Sequence, residues 1–255
     1  MTAPPSLFDG EVAVVSGAAQ GLGSAFALAL AQSGCRVVAL DVKETEVRGF
    51  ADTLRAQGLR CEGRVLDVRD AAACEALAAS VRDELGNAAI VVNNAGVTTR
   101  AQLEDAHMVD EIDRLMAVNV KGVLNLTRAF IPQLKQTRGA IVNVASIASL
   151  IASFASIPYA ASKGAVAQVT KFLARDLAPH GIRVNAVAPG FVLTPLTADL
   201  RGGASSRMER ATQRTMLKRV AEPDDIVGPL LFLASPMSRY ITGLVLPVDG
   251  GYTAN

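Results

Sequence analysis

The 255-residue sequence predicts one α/β domain, residues 1–255, with a doubly wound seven-stranded parallel sheet and helices on both faces. Three observations predict it. Short β-branched runs alternate with longer Ala/Leu-rich amphipathic segments, the order that builds a parallel sheet from right-handed crossovers. The strand runs are apolar throughout, as in strands covered on both faces. A glycine-rich turn, Ser16 to Gly23, joins the first strand to the first helix.

The elements follow in order. Val12 to Ser16 is the first strand, and Leu22 to Gln32 a helix ended by Gly34. Arg36 to Asp41 is the second strand, and Lys43 to Gln57 a more polar helix ended by Gly58. Arg60 to Leu66 is the third, followed by a helix over Asp70 to Leu85 with Asp70 as cap. Ala89 to Val92 is the fourth strand. Val109 to Lys135 reads as one long helix, with Ile112, Leu115, Met116, Val120, Val123, Leu124 and Phe130 at helical spacing. Ala140 to Val144 is the fifth strand, Pro158 to Ala178 a helix, and Arg183 to Ala188 the sixth strand. Asp224 to Leu233 is a helix and Leu244 to Val248 the last strand. Thr194 to Arg219 lies between these elements; it carries Gly202-Gly203, Ser205-Ser206 and several arginines, and reads as a mobile segment that covers the substrate.

Composition removes several function classes. Half the residues are hydrophobic, enough for a large core, and the net charge is +1 with acids and bases well mixed. That balance, with no tryptophan, predicts neither nucleic-acid nor membrane partners. The first ten residues lack a basic segment followed by an apolar one, so the expected location is cytoplasmic. Cys35, Cys61 and Cys74 lack metal spacing and read as reduced thiols, and no metal is expected. His107 and His180 each sit near a helix end and receive no role.

The turn Ser16-Gly17-Ala18-Ala19-Gln20-Gly21-Leu22-Gly23 suits a dinucleotide pyrophosphate. Gly17 permits the tight turn, Gly21 lets the phosphates approach the backbone, and Gly23 lets helix and strand pack closely. Gln20 and Leu22 belong to the same turn, and the helix start offers unpaired N–H groups. This is the Rossmann arrangement. Asp41 ends the second strand, where an acid accepts bonds from the adenosine ribose and repels a 2′-phosphate; Ala18 and Ala19 stand where an arginine would meet that phosphate. Both favour NAD over NADP. Asp67 and Val68 end the third strand, placed for the adenine. Asn93, Ala95 and Gly96 end the fourth, with a purely structural turn as the other reading of Asn93 and Gly96. Pro189, Gly190, Val192 and Thr194 end the sixth, placed to hold the nicotinamide amide.

Tyr159 and Lys163 are four residues apart on one helix, thirteen residues after Ser146. A cation beside a phenol of reference pKa about 10 favours the phenolate and makes a proton-transfer device without histidine or metal. Alone, the pair reads sooner as a half-buried tyrosine beside a solvated lysine. The surrounding motifs decide.

Those motifs are Gly17, Gly21 and Gly23, Asn93-Asn94-Ala95-Gly96, Asn119, Ser146, Tyr159-x-x-x-Lys163, Pro189-Gly190, Thr242-Gly243 and Val248-Asp249-Gly250-Gly251. In this order, from Val12 to Gly251, the chain resembles the short-chain dehydrogenase/reductase family. It departs slightly: Ser16 stands where threonine is common, and Val192-Leu193-Thr194 is a mild variant. The resemblance implies NAD(P)-linked interconversion of a secondary alcohol and a ketone, with Asn119, Ser146, Tyr159 and Lys163 as catalytic positions and a homotetrameric assembly. Tyr159 would be the general base or acid, and Ser146 would place the substrate oxygen. Lys163 would tune the phenol and hold the nicotinamide ribose. Asn119 would hold a water through its carbonyl.

The expected substrate walls are Ser146, Ala148, Leu150, Ile151, Phe154, Tyr159, Phe191, Leu196, Leu200 and Met208, a largely apolar set that suits a small alcohol or ketone. Arg201, Arg207, Arg210 and Arg214 stand in the covering segment, as a solvated face or as partners of an anionic substrate. Three other readings remain: an NADPH-dependent 3-oxoacyl-(acyl-carrier-protein) reductase, a sugar or polyol dehydrogenase, and a non-catalytic NAD-sensing protein.

Overall fold

The computed structural model describes residues 7–201 and 207–255, and the side chains of these except 199–201 and 207. Leu200, Arg201 and Arg207, and the pairs Gly202-Gly203 and Ser205-Ser206, therefore lie outside the described side chains. In chain order the elements are β1 (Val12–Ser16), α1 (Gly21–Gln32), β2 (Arg36–Asp41), α2 (Glu44–Ala56), β3 (Cys61–Val65), α3 (Ala71–Leu85) and β4 (Ala88–Asn93). Then come α4 (Met108–Met116), α5 (Gly122–Thr137), β5 (Ala140–Val144), α6 (Ile157–Leu177), β6 (Arg183–Pro189), α7 (Arg207–Arg214), α8 (Pro223–Ala234) and β7 (Val245–Val248).

The seven strands form one sheet in the order β3-β2-β1-β4-β5-β6-β7, with every pairing parallel. Every residue of β1, β4 and β5 is buried. A strand covered on both faces has no side to offer water, which is why these read as unbroken apolar runs. The edge strands β3 and β7 are mostly half-buried. One face is closed by α1, α2 and α8 over Phe26, Leu30, Val47, Leu54, Ile226 and Leu230. The other is closed by α3, α5 and α6 over Val81, Leu126, Phe130, Leu134 and Leu177. The chain winds outward in both directions from β1 and β4, so a crevice opens at their carboxyl ends.

Two segments differ from the sequence reading. The single helix expected over Val109 to Lys135 is two helices joined by a π-helical turn at Ala117–Lys121. The covering segment is a 3₁₀ turn at Pro195–Arg201 followed by α7. A half-buried guanidinium ties this end of the sheet together: Arg183 donates to the carbonyls of Leu233, Ala234 and Ser235 at the end of α8 and to Ser238 Oγ.

Candidate active site

The glycine turn is shaped by steric necessity. Gly17 and Gly21 have φ of +66° and +62°, the left-handed region where a side chain is strained. Gly23 needs no special φ, but a Cβ there would lie 2.0 Å from the Gly17 carbonyl oxygen. Helix α1 thus enters against β1 at a distance only glycine permits. Its N-cap, Gln20, makes no side-chain cap bond, which leaves first-turn N–H groups facing the crevice. Ser16 joins the turn to the next strand: its hydroxyl donates to the Val92 carbonyl (3.3 Å) and accepts from the Asn94 and Ala95 amides (both 3.1 Å).

Asp41 is fixed at the rim. Its Oδ2 accepts from the Ala19 amide and its Oδ1 from the Lys43 amide, each at 3.1 Å. Lys43 Nζ reaches across to Gln20 Oε1 at 3.4 Å. Asp67 is engaged by a bidentate ion pair with Arg69, which holds its carboxyl below the usual range. That carboxylate is thus partnered by Arg69 while still lining the cleft. Val68 is pressed by the close approach of Gly122, and its carbonyl accepts from Asn125 at 2.9 Å.

Between these groups runs a cleft of about 560 Å³. Every residue expected at the cofactor lines it except Gly23 and Asn93. For Gly23 the reason is its packing role. Asn93 is a correction: its side chain is buried away from the cleft and donates to Thr127 Oγ1 (3.0 Å) and Asn143 Oδ1 (2.8 Å). Its neighbour Asn94 takes the position under the turn, donating to the Ser16 and Gly17 carbonyls at 2.9 and 3.0 Å. Successive strand residues point to opposite faces, so the two cannot share a role.

Ser146, Tyr159 and Lys163 meet at the inner end of the cleft. Ser146 caps a 3₁₀ turn, its Oγ accepting from the Ala148 amide at 3.1 Å, and its hydroxyl adjoins the Tyr159 phenol. The Lys163 ammonium is 5 % exposed, donates to the Val144 carbonyl at 2.7 Å and lies 5.9 Å from the Tyr159 ring centroid. Burial lowers Lys163 to about 8. Burial also raises the phenol, with the neighbouring Ser146 hydroxyl opposing it. In the protein by itself desolvation therefore outweighs the acidifying effect expected of the lysine.

Asn119 sits behind this group, on the π turn, and is 1 % exposed. Its Oδ1 accepts from the Val97 amide (2.8 Å), while Nδ2 donates to the Val97 carbonyl (3.0 Å) and to Ser162 Oγ (2.9 Å). Ser162, fully buried, donates to the Tyr159 carbonyl at 2.8 Å. Sequence reasoning missed Ser162 and, though it named Asn94 within its motif, gave that residue no role. The one available signal was a polar residue beside each motif position.

The substrate walls need correction as well. Of the described candidates only Ser146, Tyr159 and Leu196 line the cleft. Phe191 and Ile151 instead pack on a buried cluster of Ile147, Ala211 and Tyr252. Phe191 stacks obliquely on Phe154 and on Tyr252, with ring centroids 6.2 and 5.8 Å apart. Ala148 is buried, Leu150 is exposed at 43 %, and Met208 is half-buried on α7. Phe154, Phe191 and Tyr252 form an aromatic layer packed on Ile147, the residue after Ser146. All three cysteines are buried and free; burial pushes Cys35 and Cys61 up to about 12 and Cys74 to about 11, so none is a thiolate near neutral pH.

Comparison with known proteins gives the cleft its class, that of an oxidoreductase. A family model described as enoyl-(acyl carrier protein) reductase matches residues 17–253. The 3-oxoacyl-(acyl-carrier-protein) reductase of Thermotoga maritima is 39 % identical over 247 residues, 95 % of this chain and 98 % of its own length. Trans-4-hydroxycyclohexanecarboxylate dehydrogenase of Sinomonas cyclohexanicum is 39 % identical over 250 residues, 96 % and 93 % of the two chains. A crystal structure of a gluconate 5-dehydrogenase from Burkholderia cenocepacia, in complex with NADP and tartrate, superposes with a TM-score of 0.93 at 34 % identity, covering 98 % of each chain. The chain belongs to the short-chain dehydrogenase/reductase family.

Proposed function

We propose that the protein is an NAD-dependent oxidoreductase interconverting a secondary alcohol and a ketone, with Tyr159 as general base and acid. One observation carries this reading: the Tyr159 phenol adjoins Ser146 and is backed by the buried Lys163 ammonium, with all three residues lining one cleft of about 560 Å³. The bound nicotinamide supplies the hydride-accepting or hydride-donating carbon. The first turn of α1 and Gly21 hold the pyrophosphate, Asp41 the adenosine ribose, and Pro189 to Thr194 the nicotinamide end. In oxidation Tyr159 removes the hydroxyl proton while Ser146 holds the same oxygen. Lys163 keeps the phenolate accessible and grips the nearer ribose, and Asn119 positions this group from behind.

The rim of the cleft supports NAD. The Asp41 carboxylate, pinned by the Ala19 amide, puts negative charge where a 2′-phosphate would lie. One observation favours the runner-up, an NADPH-dependent 3-oxoacyl reductase: Lys43 Nζ lies at the same rim, 3.4 Å from Gln20. A sugar or polyol substrate is compatible with the same chemistry. Leu103, Val109, Leu124 and Phe172 are exposed apolar residues around α4, α5 and α6, which supports a homotetramer. Among the described residues no helix is long and apolar enough to cross a membrane. The test is an absorbance screen over alicyclic alcohols, polyols and hydroxy acids with NAD+ and NADP+ in parallel. The reading expects oxidation of at least one secondary alcohol, faster with NAD+.

A further inference from the structure

We propose that Arg210 binds an anionic group, a carboxylate in the first instance, carried by the substrate at the end remote from the carbinol. The inference rests on the alcohol-oxidising reading above and adds the substrate class. Arg210 lies on α7 with its guanidinium carbon 5.1 Å from the centroid of the Phe154 ring. A guanidinium held over an aromatic ring leaves its N–H donors available, and their planar fork fits a carboxylate side-on. Several other arginines are ion-paired: Arg69 with Asp67, Arg114 with Glu111, Arg128 with Glu75 and Arg219 with Asp225; Arg214, further along α7, lies over the Tyr252 ring. Among the described residues no carboxylate makes an ion pair with Arg210.

Its location connects it to the chemistry. Ala211, the next residue, is buried in the cluster with Ile147, which directly follows Ser146. Phe154, the ring that Arg210 covers, stacks on Phe191, which follows Gly190 in the cleft wall. The cation is thus mounted at the outer edge of an aromatic layer whose inner edge adjoins the serine–tyrosine pair. A substrate with its hydroxyl at Ser146 and Tyr159 would lay its carbon skeleton along this layer and its charged end toward Arg210. Stacking on Phe154 holds the guanidinium in place beforehand, so less ordering is lost on binding.

The experiment compares matched pairs in the NAD+-coupled assay: 3-hydroxybutyrate, 4-hydroxypentanoate and 4-hydroxycyclohexanecarboxylate, each beside its methyl ester. The inference expects at least one acid to exceed its ester in kcat/KM by about 10- to 100-fold, the worth of one charge-assisted contact. Arg210→Ala should abolish that preference by raising KM for the acid, Arg210→Lys should keep part of it, and Arg128→Ala should leave it unchanged. Equal use of acid and ester across the pairs, or a preference that survives in Arg210→Ala, overturns the inference while leaving the dehydrogenase reading intact. Oxidation of none of the six compounds, nor of any neutral secondary alcohol in the wider screen, overturns both.

Discussion

Asn119 Nδ2 donates to Ser162 Oγ across 2.9 Å, and Ser162 passes the connection to the Tyr159 carbonyl at 2.8 Å. Two hydroxyl bonds thus tie the π turn and the loop at Val97 to the first turn of α6, which carries both Tyr159 and Lys163. Ser162 touches no substrate; it is a positioning residue. Ser162→Ala leaves one of the two Asn119 amide N–H groups without a partner, the other still donating to the Val97 carbonyl, at a cost of about 1–3 kcal/mol. Turnover should fall about tenfold with KM for NAD+ little changed. Because the two residues act through one contact, Ser162→Ala and Asn119→Ala should be non-additive in a double-mutant cycle on kcat. Additive losses would mean that the bond does not carry the effect.

Lys163 is predicted to cost stability in return for function. Its value of about 8 lies below the ordinary 10.5. The unfolded chain therefore binds more protons between those values, so the stability contributed by this group rises as pH climbs from about 8 to about 10.5, and the full penalty applies below 8. Lys163→Met should raise the thermal midpoint of the cofactor-free protein at pH 7, the gain in stability being at most about 3–4 kcal/mol less the lost Val144 bond, and the gain should shrink toward pH 10.5. The same variant should bind NADH more weakly and lose turnover. Unchanged NADH affinity by titration would remove the ribose contact from the account.

Asp41→Ser should shift cofactor preference. Removing the carboxylate pinned by Ala19 leaves Lys43 as the charge at the rim, so the NADP+ to NAD+ ratio of kcat/KM should rise at least tenfold. An unchanged ratio would show that Asp41 does not face the ribose.

Gly23→Ala and Gly49→Ala separate a glycine required by packing from one that is not. A Cβ at Gly23 meets a backbone oxygen at 2.0 Å, whereas at Gly49, within α2, nothing lies within 4 Å. Gly23→Ala should destabilise by on the order of 3 kcal/mol and weaken NADH binding. Gly49→Ala should stabilise by up to about 1 kcal/mol through helix propensity. Chemical denaturation measures both.

The sheet was legible because its central strands leave no polar face, so Val12 to Ser16 and Ala140 to Val144 announce themselves. The glycine turn was legible because its spacing answers a steric demand. The π turn was not: Ala117 to Lys121 keeps the apolar periodicity of its neighbours, and the departure is associated with Asn119 reaching Val97, 22 residues away. Asn93 and Asn94 could not be told apart without the register, since one residue of slip exchanges the faces. The substrate walls were misplaced because Phe154, Phe191 and Tyr252 find one another only once β5, β6 and the carboxyl terminus have been brought together by the sheet.

The most direct test of the central claim is Tyr159→Phe, measured for NADH binding and for oxidation of the best alcohol from the screen. The change removes one oxygen and leaves the ring over Lys163. NADH should bind as in the parent, and turnover should fall by about 10²–10⁴-fold, the usual worth of a positioned acid–base group. Turnover within a few-fold of the parent, with binding intact, would contradict Tyr159 as the proton-transfer residue.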